Sequence, residues 1–172
     1  MFQNSQNDKY LELCINRVKY EYLAWVEQIL DIITEKIDSR NNQVKLNDIG
    51  CNLCQFYKGL KRRKLNIEYF GYDIESIYLS ESYKIFPELI GKLKIFNIVN
   101  KQPNPCDISI ISATLEHIEQ YYLALENLLN STNKLILLRT FLGNNHLKSI
   151  YNKKNSLNSY IIYQFSFNEI FT

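Results

Sequence analysis

A strand pattern, a glycine turn and the start of a helix follow one another at residues 44–60, and this arrangement constrains the fold most. Residues 44–49 form a short strand pattern with an acid, Asp48, near its end, and Gly50 follows directly. Apolar residues then recur at helical spacing, namely Leu53, Phe56, Tyr57 and Leu60. A strand, a tight glycine turn and a helix N-terminus form the phosphate- or nucleoside-binding corner of open α/β folds.

Asp48 indicates which ligand this corner takes. It lies two residues before Gly50, at the carboxyl end of the predicted strand, where a pyrophosphate would have to approach. A carboxylate there repels a dinucleotide phosphate, whereas it suits a ligand that carries an ammonium and a sulfonium charge. The position of Asp48 therefore favours S-adenosylmethionine (SAM) over NAD or ATP.

Two stretches resemble the first motifs of the class I SAM-dependent methyltransferases. The segment Asp48–Asn52 resembles their first motif, an acid followed by glycine-rich turn residues. The segment Phe70–Ile74 resembles their second motif, an apolar strand that ends in an acid, and in the family that acid takes the ribose hydroxyls. Asp73 lies 23 residues after Gly50, close to the offset of about 20 residues expected of a ribose-binding acid.

Two further stretches extend the resemblance over about residues 44 to 143. The segment Phe96–Ile98 stands where the family usually has an acid that contacts the adenine. The segment Cys106–Ile118 resembles the fourth-strand motif, in which a strand leads to a Leu-Glu-His-Ile sequence. The resemblance implies SAM as the cofactor, with contacts from Asp48, Gly50, Asn52, Asp73, Ile74, Asn97, Ile98 and Ser112.

The chain departs from the family pattern at three positions. Asn52 and Cys54 stand where family members commonly have further glycines. Because asparagine tolerates positive φ, we expect Asn52 to keep the turn, whereas Cys54 narrows the room for the methionine moiety. Asn97 replaces an acid, and its carbonyl still accepts a hydrogen bond from an adenine amine, without charge assistance.

Alternating strand and helix patterns predict a doubly wound, mostly parallel α/β sheet with one domain over residues 1–172. The resemblance implies the strand order 3-2-1-4-5. We divide the domain into a helical cap (1–43), a cofactor-binding core (44–143) and an incomplete C-terminal segment (144–172). The predicted strands are 44–49, 67–72, 93–98, 107–112 and 134–139.

Apolar residues at steps of three and four over residues 8–38 predict one long amphipathic helix or two shorter ones. A helical cap over the sheet is one interpretation, and methyltransferases of this class often have such a cap. A coiled-coil seam between two copies of the chain is the other.

The end of the chain predicts a helix start and an exposed sheet edge. Ser166 and Glu169 fit a capping box, but the chain stops at Thr172. Class I methyltransferases continue through a helix into two more strands, which we expect to be missing here. The fifth strand would then be an edge open to self-association, unless residues 157–165, which are rich in β-forming side chains, fold back as a sixth strand.

Three residues after the fourth and fifth strands are candidates for catalysis. His117 follows the fourth strand, and a neutral imidazole is a base near physiological pH; packing against Phe141 or a tyrosine is the structural alternative. Glu116 is expected either to cap a helix or to orient a substrate hydroxyl. Arg139 ends the fifth strand, where its guanidinium would clamp a carboxylate or phosphate of the acceptor, or else form a salt bridge.

The pair Cys51 and Cys54 also fits a redox motif, because a Cys-x-x-Cys at a helix start lowers a thiol pKa. The downstream Asp73 and the Glu116-His117 pair have no role in a thioredoxin-like protein. Cysteines and histidines elsewhere show no paired ligand spacing, so we expect no metal site.

Composition excludes some partners. The chain has 172 residues, 46% hydrophobic and 22% charged, with a net charge of +2, which gives no strong attraction to nucleic acid. The basic run 61–64 is interpreted as a solvated helix end. No apolar run is long enough to cross a bilayer and no signal peptide is evident, so we expect no membrane association and a cytoplasmic location.

These observations favour a SAM-dependent methyltransferase that acts on a small-molecule or sugar-like acceptor. The alternative is a catalytically silent or truncated protein of the same fold that acts as a binding or partner subunit. A homodimer through the N-terminal helix or the sheet edge is an expected further property.

Overall fold

The computed structural model describes residues 8–38, 43–152 and 159–171. Its helices are α1 (Asp8–Tyr20), α2 (Ala24–Lys36), α3 (Gln55–Arg63), α4 (Ser76–Ile85), α5 (Tyr121–Ser131) and α6 (Phe167–Phe171). Its strands are β1 (Val44–Ile49), β2 (Ile67–Asp73), β3 (Leu93–Ile95), β4 (Cys106–Ser112), β5 (Thr132–Arg139), β6 (Leu142–Gly143), β7 (Leu147–Asn152) and β8 (Ser159–Ser166). Short 3-10 turns occupy Pro87–Leu89 and Leu115–His117.

A five-stranded parallel sheet in the order β3-β2-β1-β4-β5 forms the centre of the domain. Its central strands β1 and β4 are buried almost throughout, as expected of parallel strands that helices cover on both faces. The predicted doubly wound fold and the predicted strand order are confirmed.

The third strand is shorter than predicted. It ends at Ile95, not at residue 98, because the chain turns sharply there. The side-chain carbonyl of Asn97 accepts a hydrogen bond from the Val99 amide at 3.0 Å, and the backbone carbonyl of Asn97 accepts one from the Asn100 amide at 3.1 Å. An asparagine that binds the backbone two residues ahead favours a turn over a strand.

The N-terminal segment forms two helices, the second of the two predicted alternatives. Both pack against the sheet through residues that are buried in one cluster with α3 and α4, namely Cys14, Val18, Val26, Ile29, Leu30 and Ile33. These apolar side chains therefore pack within the chain. The division into a helical cap over residues 1–43 and the dimer seam both stay predictions.

The opposite face of the sheet is covered by α5 and by the C-terminal strands. Ile49, Tyr72 and Ile111 of the sheet are buried in one cluster with Ala124 and Leu128 of α5. Tyr163 and Phe165 of β8 belong to the same cluster and are 5% and 0% exposed.

The residues after β5 form a second sheet with the order β6-β8-β7. Of the segment 157–165 that could fold back as a sixth strand, residues 157 and 158 lie outside the described residues, and the rest belongs to β8. This strand pairs parallel with β6 and antiparallel with β7 rather than along β5. Over the described residues, β5 is therefore the last strand of the five-stranded sheet. Glu169 accepts hydrogen bonds from the Ser166 amide and hydroxyl at 2.9 and 3.0 Å, which confirms the predicted capping box.

The basic run lies at the end of α3, as predicted. Lys61, Arg62 and Arg63 occupy its last turn. They form ion pairs with Glu88 and Glu27, so they join α3 to neighbouring elements. None of the described helices is long and apolar enough to cross a bilayer.

Candidate functional site at the carboxyl rim of the sheet

The predicted site residues collect at one edge of the five-stranded sheet. The parallel strands β1, β2, β4 and β5 end there at Ile49, Asp73, Ser112 and Arg139. The order in which strands are added reverses between β1 and β4, because β2 and β3 lie to one side of β1 and β4 and β5 to the other. In open α/β sheets ligands bind at this reversal, outside the carboxyl ends of the strands.

The loop after β1 keeps a glycine-type backbone although two expected glycines are replaced. Gly50, Asn52 and Cys54 have φ values of 73°, 48° and 57°, a region that favours glycine and tolerates asparagine. Asn52 stabilises the turn itself, since its side-chain carbonyl accepts a hydrogen bond from the Leu53 amide at 2.8 Å.

We expected Cys54 to narrow the room at the rim, but its side chain does not lie there. Its side chain is fully buried, and its Sγ lies 3.5 Å from the Ser82 hydroxyl inside the core. Cys51 is also buried, and burial raises the pKa of its thiol well above its usual value. Reactive redox thiols are exposed and have lowered pKa values, so the two cysteines act here as core residues.

Asp73 joins the first two strand ends. Its Oδ2 accepts a hydrogen bond from the Asn52 amide at 2.8 Å, and its Oδ1 accepts one from the Glu75 amide at 3.0 Å. The side chain is 7% exposed, and burial raises the pKa of its carboxyl. Ile74, its neighbour, is half exposed at the rim. The carboxylate thus joins the glycine loop after β1 to the residues that follow β2.

Helix α1 lies close to the glycine loop. Burial raises the pKa of the Cys14 thiol, and the neighbouring side chains of Tyr10 and Asn52 oppose this effect. Cys14 is buried, whereas Tyr10 is 41% exposed. Helix α1 therefore borders the loop that carries Asn52.

Asp48 lies deeper than the other candidates. Its carboxylate is 5% exposed and accepts a hydrogen bond from the Tyr69 hydroxyl at 2.7 Å. Burial raises the pKa of Asp48 to about 7, although the Tyr69 bond opposes this effect. The Asp48 carboxyl thus lies against Tyr69 of β2.

The turn after β4 closes against the glycine loop. A Cβ on Gly50 would lie 2.1 Å from Oγ1 of Thr114, so only glycine fits beside this side chain. Ala113 has a φ of 53°, which is unusual for alanine. Such strained residues concentrate at functional sites, and here the strain brings Thr114 against Gly50 at the strand-order reversal.

A surface cavity of about 470 Å³ opens beside the end of β3. Polar side chains of Asn97, Asn100, Glu119 and Gln120 line it together with Val99, Ile118 and Tyr122. Ile98, between two of the lining residues in sequence, is buried, and its carbonyl accepts a hydrogen bond from the Asn127 side chain at 2.7 Å. This volume is in the range of small-molecule sites.

His117 and Glu116 lie in the 3-10 turn after β4. The Nδ1 atom of His117 is 3.1 Å from the Ile161 carbonyl oxygen on β8. Since a carbonyl only accepts, Nδ1 donates, and neutral His117 carries its lone pair on Nε2. Glu116 is buried and accepts a hydrogen bond from the Thr140 hydroxyl at 2.9 Å, so it neither starts nor caps α5.

Arg139 projects from the end of β5. Its Nη1 donates a hydrogen bond to the Ser112 hydroxyl at 3.1 Å, and its guanidinium lies 5.2 Å from the ring centroid of Trp25 on α2. Arg139 is exposed, and none of the ion pairs among the described residues includes it.

Several residues that contact the predicted site residues were not identified from the sequence. The partners Tyr69, Thr114, Thr140 and Ile161 lie far along the chain from the residues they contact, so no local spacing signals them. Ala113 carries no signal either, since alanine rarely adopts positive φ. Cys14 could be found only as one apolar position of an amphipathic helix.

No protein-family model matches the chain, and no curated protein sequence matches it. Solved structures do match. A SAM-dependent methyltransferase from Clostridium acetobutylicum has a TM-score of 0.63 at 12% identity, with 94% of this chain and 83% of that one covered. SAM-bound CalS10, an amino pentose methyltransferase from Micromonospora echinaspora, has a TM-score of 0.57 at 11% identity, with 84% and 64% covered.

A third match is the CMeT domain of the citrinin polyketide synthase, with a TM-score of 0.56 and 16% identity. The match covers 66% of this chain, and the chain spans 34% of the length of that protein. At these identities the likeness is one of fold.

Proposed function

We propose that this chain, which has the Rossmann-like fold of the class I SAM-dependent methyltransferases, binds SAM along its carboxyl rim and methylates a small molecule. The observation that carries the proposal is the geometry of Asp73. Its carboxylate connects the ends of β1 and β2 by accepting the Asn52 and Glu75 amides. An anchored carboxylate with further lone pairs is suited to the two hydroxyls of a ribose.

The residues present fit SAM at its nucleoside end. The positive φ values at Gly50, Asn52 and Cys54 hold the backbone in a path that lets a ligand approach closely. The cavity beside Asn97 is large enough for a planar base. Asn97 and the backbone at Ile98 would contact the adenine, Asp73 the ribose, and Gly50, Asn52 and Ser112 the methionine end.

Asp48 is the weakest of the predicted contacts. Its carboxyl is engaged with Tyr69 below the rim. We therefore assign it an indirect role, in which it fixes the end of β1 under Gly50. The exposed Ile74 would lie against the nucleoside from outside.

When bound, SAM supplies a methyl group on a sulfonium, whose sulfur keeps the electron pair of the broken S–C bond as a neutral thioether. The chain then has to hold the acceptor in line and exclude water. A neutral acceptor nucleophile loses one proton as it gains the methyl group. His117 is the residue that takes this proton in our proposal, through the Nε2 atom that its bond to Ile161 leaves as the lone-pair nitrogen.

Glu116 supports His117 in this scheme. Through its bond to the Thr140 hydroxyl it ties the turn after β4 to the segment after β5. In this scheme Glu116 and Thr140 therefore hold in place the part of the rim where the acceptor would bind. A sugar-like acceptor is a candidate because CalS10, of the same fold, is described as an amino pentose methyltransferase.

The proposal is tested by the affinity of two aspartate variants for S-adenosylhomocysteine. Asp73→Ala should weaken binding by about 1.5–3 kcal/mol, the scale of hydrogen bonds to a charged group. The matched control is Asp107→Ala, because Asp107 also accepts a backbone hydrogen bond, from the Lys45 amide at 2.9 Å. Asp107 lies at the opposite end of the sheet, so its variant should bind as the wild type does.

The same variants need a check of folding. Asp73→Ala leaves two backbone amides without their acceptor, so binding is measured at a temperature where circular dichroism finds both variants folded. An unchanged dissociation constant in folded Asp73→Ala would contradict the proposed cofactor position.

A catalytically silent protein of this fold is the second candidate. Thr114 lies against Gly50 at the strand-order reversal. In this second proposal, that contact excludes the methionine end of SAM. Such a protein would bind the nucleoside end alone. Equal affinity for adenosine and for S-adenosylhomocysteine would favour it, whereas tighter binding of S-adenosylhomocysteine would favour the methyltransferase.

A further inference from the structure

We infer that the acceptor carries an anionic oxyacid group, a carboxylate or a phosphate, and that Arg139 binds this group beside Ser112. The inference rests on the proposed function, whose acceptor side it specifies. It is drawn from how Arg139 is held and from which charges surround it.

Arg139 is fixed in place from three directions. Its backbone carbonyl accepts a hydrogen bond from the amide of the strained Ala113 at 2.8 Å. Its Nη1 donates to the Ser112 hydroxyl at 3.1 Å, and its guanidinium lies over the Trp25 ring. A guanidinium held by an aromatic face and a hydroxyl loses little conformational freedom when a ligand binds.

The charge of Arg139 has no acidic partner within the described residues, where no carboxylate oxygen lies within 4 Å of its guanidinium nitrogens. The nearby acid Glu116 is buried and engaged by Thr140. Arg62 and Arg63 differ from Arg139, because both contact Glu27. An exposed, prepositioned guanidinium without a carboxylate is suited to an external one.

The position of Arg139 connects it to the acceptor. Arg139 and Ser112 end the adjacent strands β5 and β4, and the turn that starts after Ser112 carries His117. One donor of the guanidinium meets Ser112, and a planar fork with several further donors matches the two oxygens of a carboxylate or phosphate. The bound group would thus anchor the acceptor next to the proposed base.

The alternative is that Arg139 only fastens α2 to the rim through Trp25. Arg62 provides a matched control, since its guanidinium also lies 5.2 Å from an aromatic ring, that of Tyr22, but is paired with Glu27. A structural arginine and a ligand-binding arginine should differ in their response to a free anion.

The test is an NMR titration of the full chain with sodium phosphate and, separately, sodium acetate, each against sodium chloride at equal ionic strength. We expect the Nε–H signal of Arg139 to shift and saturate at millimolar anion, while that of Arg62 follows the chloride control. In Arg139→Gln the shifts of neighbouring amides at residues 112–114 should be lost, and Arg62→Gln should keep them.

Saturation with phosphate alone would identify a phosphate-bearing acceptor, and saturation with acetate a carboxylate. Equal, unsaturating shifts at Arg139 and Arg62 would overturn the inference, as would saturation that survives in Arg139→Gln. Binding of S-adenosylhomocysteine is measured on the same samples. Its presence without anion binding would leave the methyltransferase proposal standing, whereas its absence would contradict that proposal separately.

Discussion

Two aspartates at the ends of neighbouring strands have different environments. The Asp73 carboxylate accepts hydrogen bonds from two backbone amides. The Asp48 carboxylate accepts one only from the Tyr69 hydroxyl and is surrounded by buried side chains. A carboxylate with few donors in an apolar setting is held preferentially in its neutral form. Asp48 is therefore better suited to a structural role than to a permanent negative charge at the rim.

This difference predicts a pH-dependent effect of Asp48→Asn. The folded-state pKa of Asp48, about 7, exceeds the ordinary value of 3.8, so wild-type stability falls as pH rises between these values and then levels off. The loss is at most about 4 kcal/mol. Asparagine still accepts a hydrogen bond from Tyr69 but does not titrate. The stability of the variant relative to the wild type should therefore increase as pH rises from 4 to 8.

Urea unfolding of both proteins at pH 4.5, 6 and 8 measures this gain. A stability difference that is constant over the three pH values would show that Asp48 titrates normally in the folded protein. The Tyr69→Phe variant serves as a control, because it removes the hydroxyl donor and should make the fall of stability with pH steeper.

A second prediction at this scale concerns two glycines with positive φ. Gly50 has a φ of 73° and lies against Thr114, whereas Gly91 has a φ of 82° and open space within 4 Å of the position that an alanine Cβ would take. Alanine at either site costs about 1–2 kcal/mol for its backbone conformation. Gly50→Ala should lose about 1–3 kcal/mol more, since the added methyl forces Thr114 to move.

Denaturant unfolding of the two variants compares the costs directly. Equal losses would mean that Thr114 does not occupy the space beside Gly50.

The positive φ of Asn52 in the glycine loop could be predicted from the sequence, because asparagine commonly replaces glycine in that backbone conformation. The contacts with Thr114 and Tyr69 could not, since they depend on how distant segments pack.

At the scale of elements, the strands and helices of the central sheet follow from their local patterns. Continuous apolar runs such as residues 135–138 indicate a parallel strand, and β5 indeed includes them. The end of β3 could not be predicted, because the turn depends on one side-chain bond of Asn97. The partner of β8 could not be predicted either, because composition favours a strand without specifying its neighbour.

The second sheet should contribute to the free energy of unfolding of the domain. Phe165 on β8 is fully buried, with its ring centroid 4.7 Å from that of Tyr121 on α5. Phe165→Ala should lower the free energy of unfolding by about 3–5 kcal/mol, the range for large buried aromatic residues. Phe167→Ala is the control, since Phe167 is 51% exposed and its loss should cost far less.

Thermal and urea unfolding of both variants test whether the C-terminal strands are part of the cooperative core. A Phe165→Ala protein as stable as Phe167→Ala would indicate that β8 does not pack on α5 in solution. Loss of the β8 contacts should also break the hydrogen bond from Nδ1 of His117 to the Ile161 carbonyl on the same strand.

In the molecule as a whole, residues from four motifs that are separated along the chain lie together at the carboxyl rim of the five-stranded sheet. The fold class could be predicted from the alternation of strand and helix patterns, and the strand order followed from the resemblance to the methyltransferases. The position of α1 near Asn52 and the position of the second sheet beside His117 required the structure. Self-association through the edge of β5 stays a prediction, since that edge has no strand partner within the described residues.

Calorimetric titration with SAM and with S-adenosylhomocysteine measures binding of the proposed cofactor itself. A cofactor site that spans the ends of β1, β2 and β3 should give a saturable heat with one ligand per chain, accompanied by a rise in unfolding temperature. Asp107→Ala should retain both signals and Asp73→Ala should weaken them. The absence of both heat and thermal stabilisation with millimolar ligand, in folded wild-type protein, would contradict cofactor binding and with it the methyltransferase proposal.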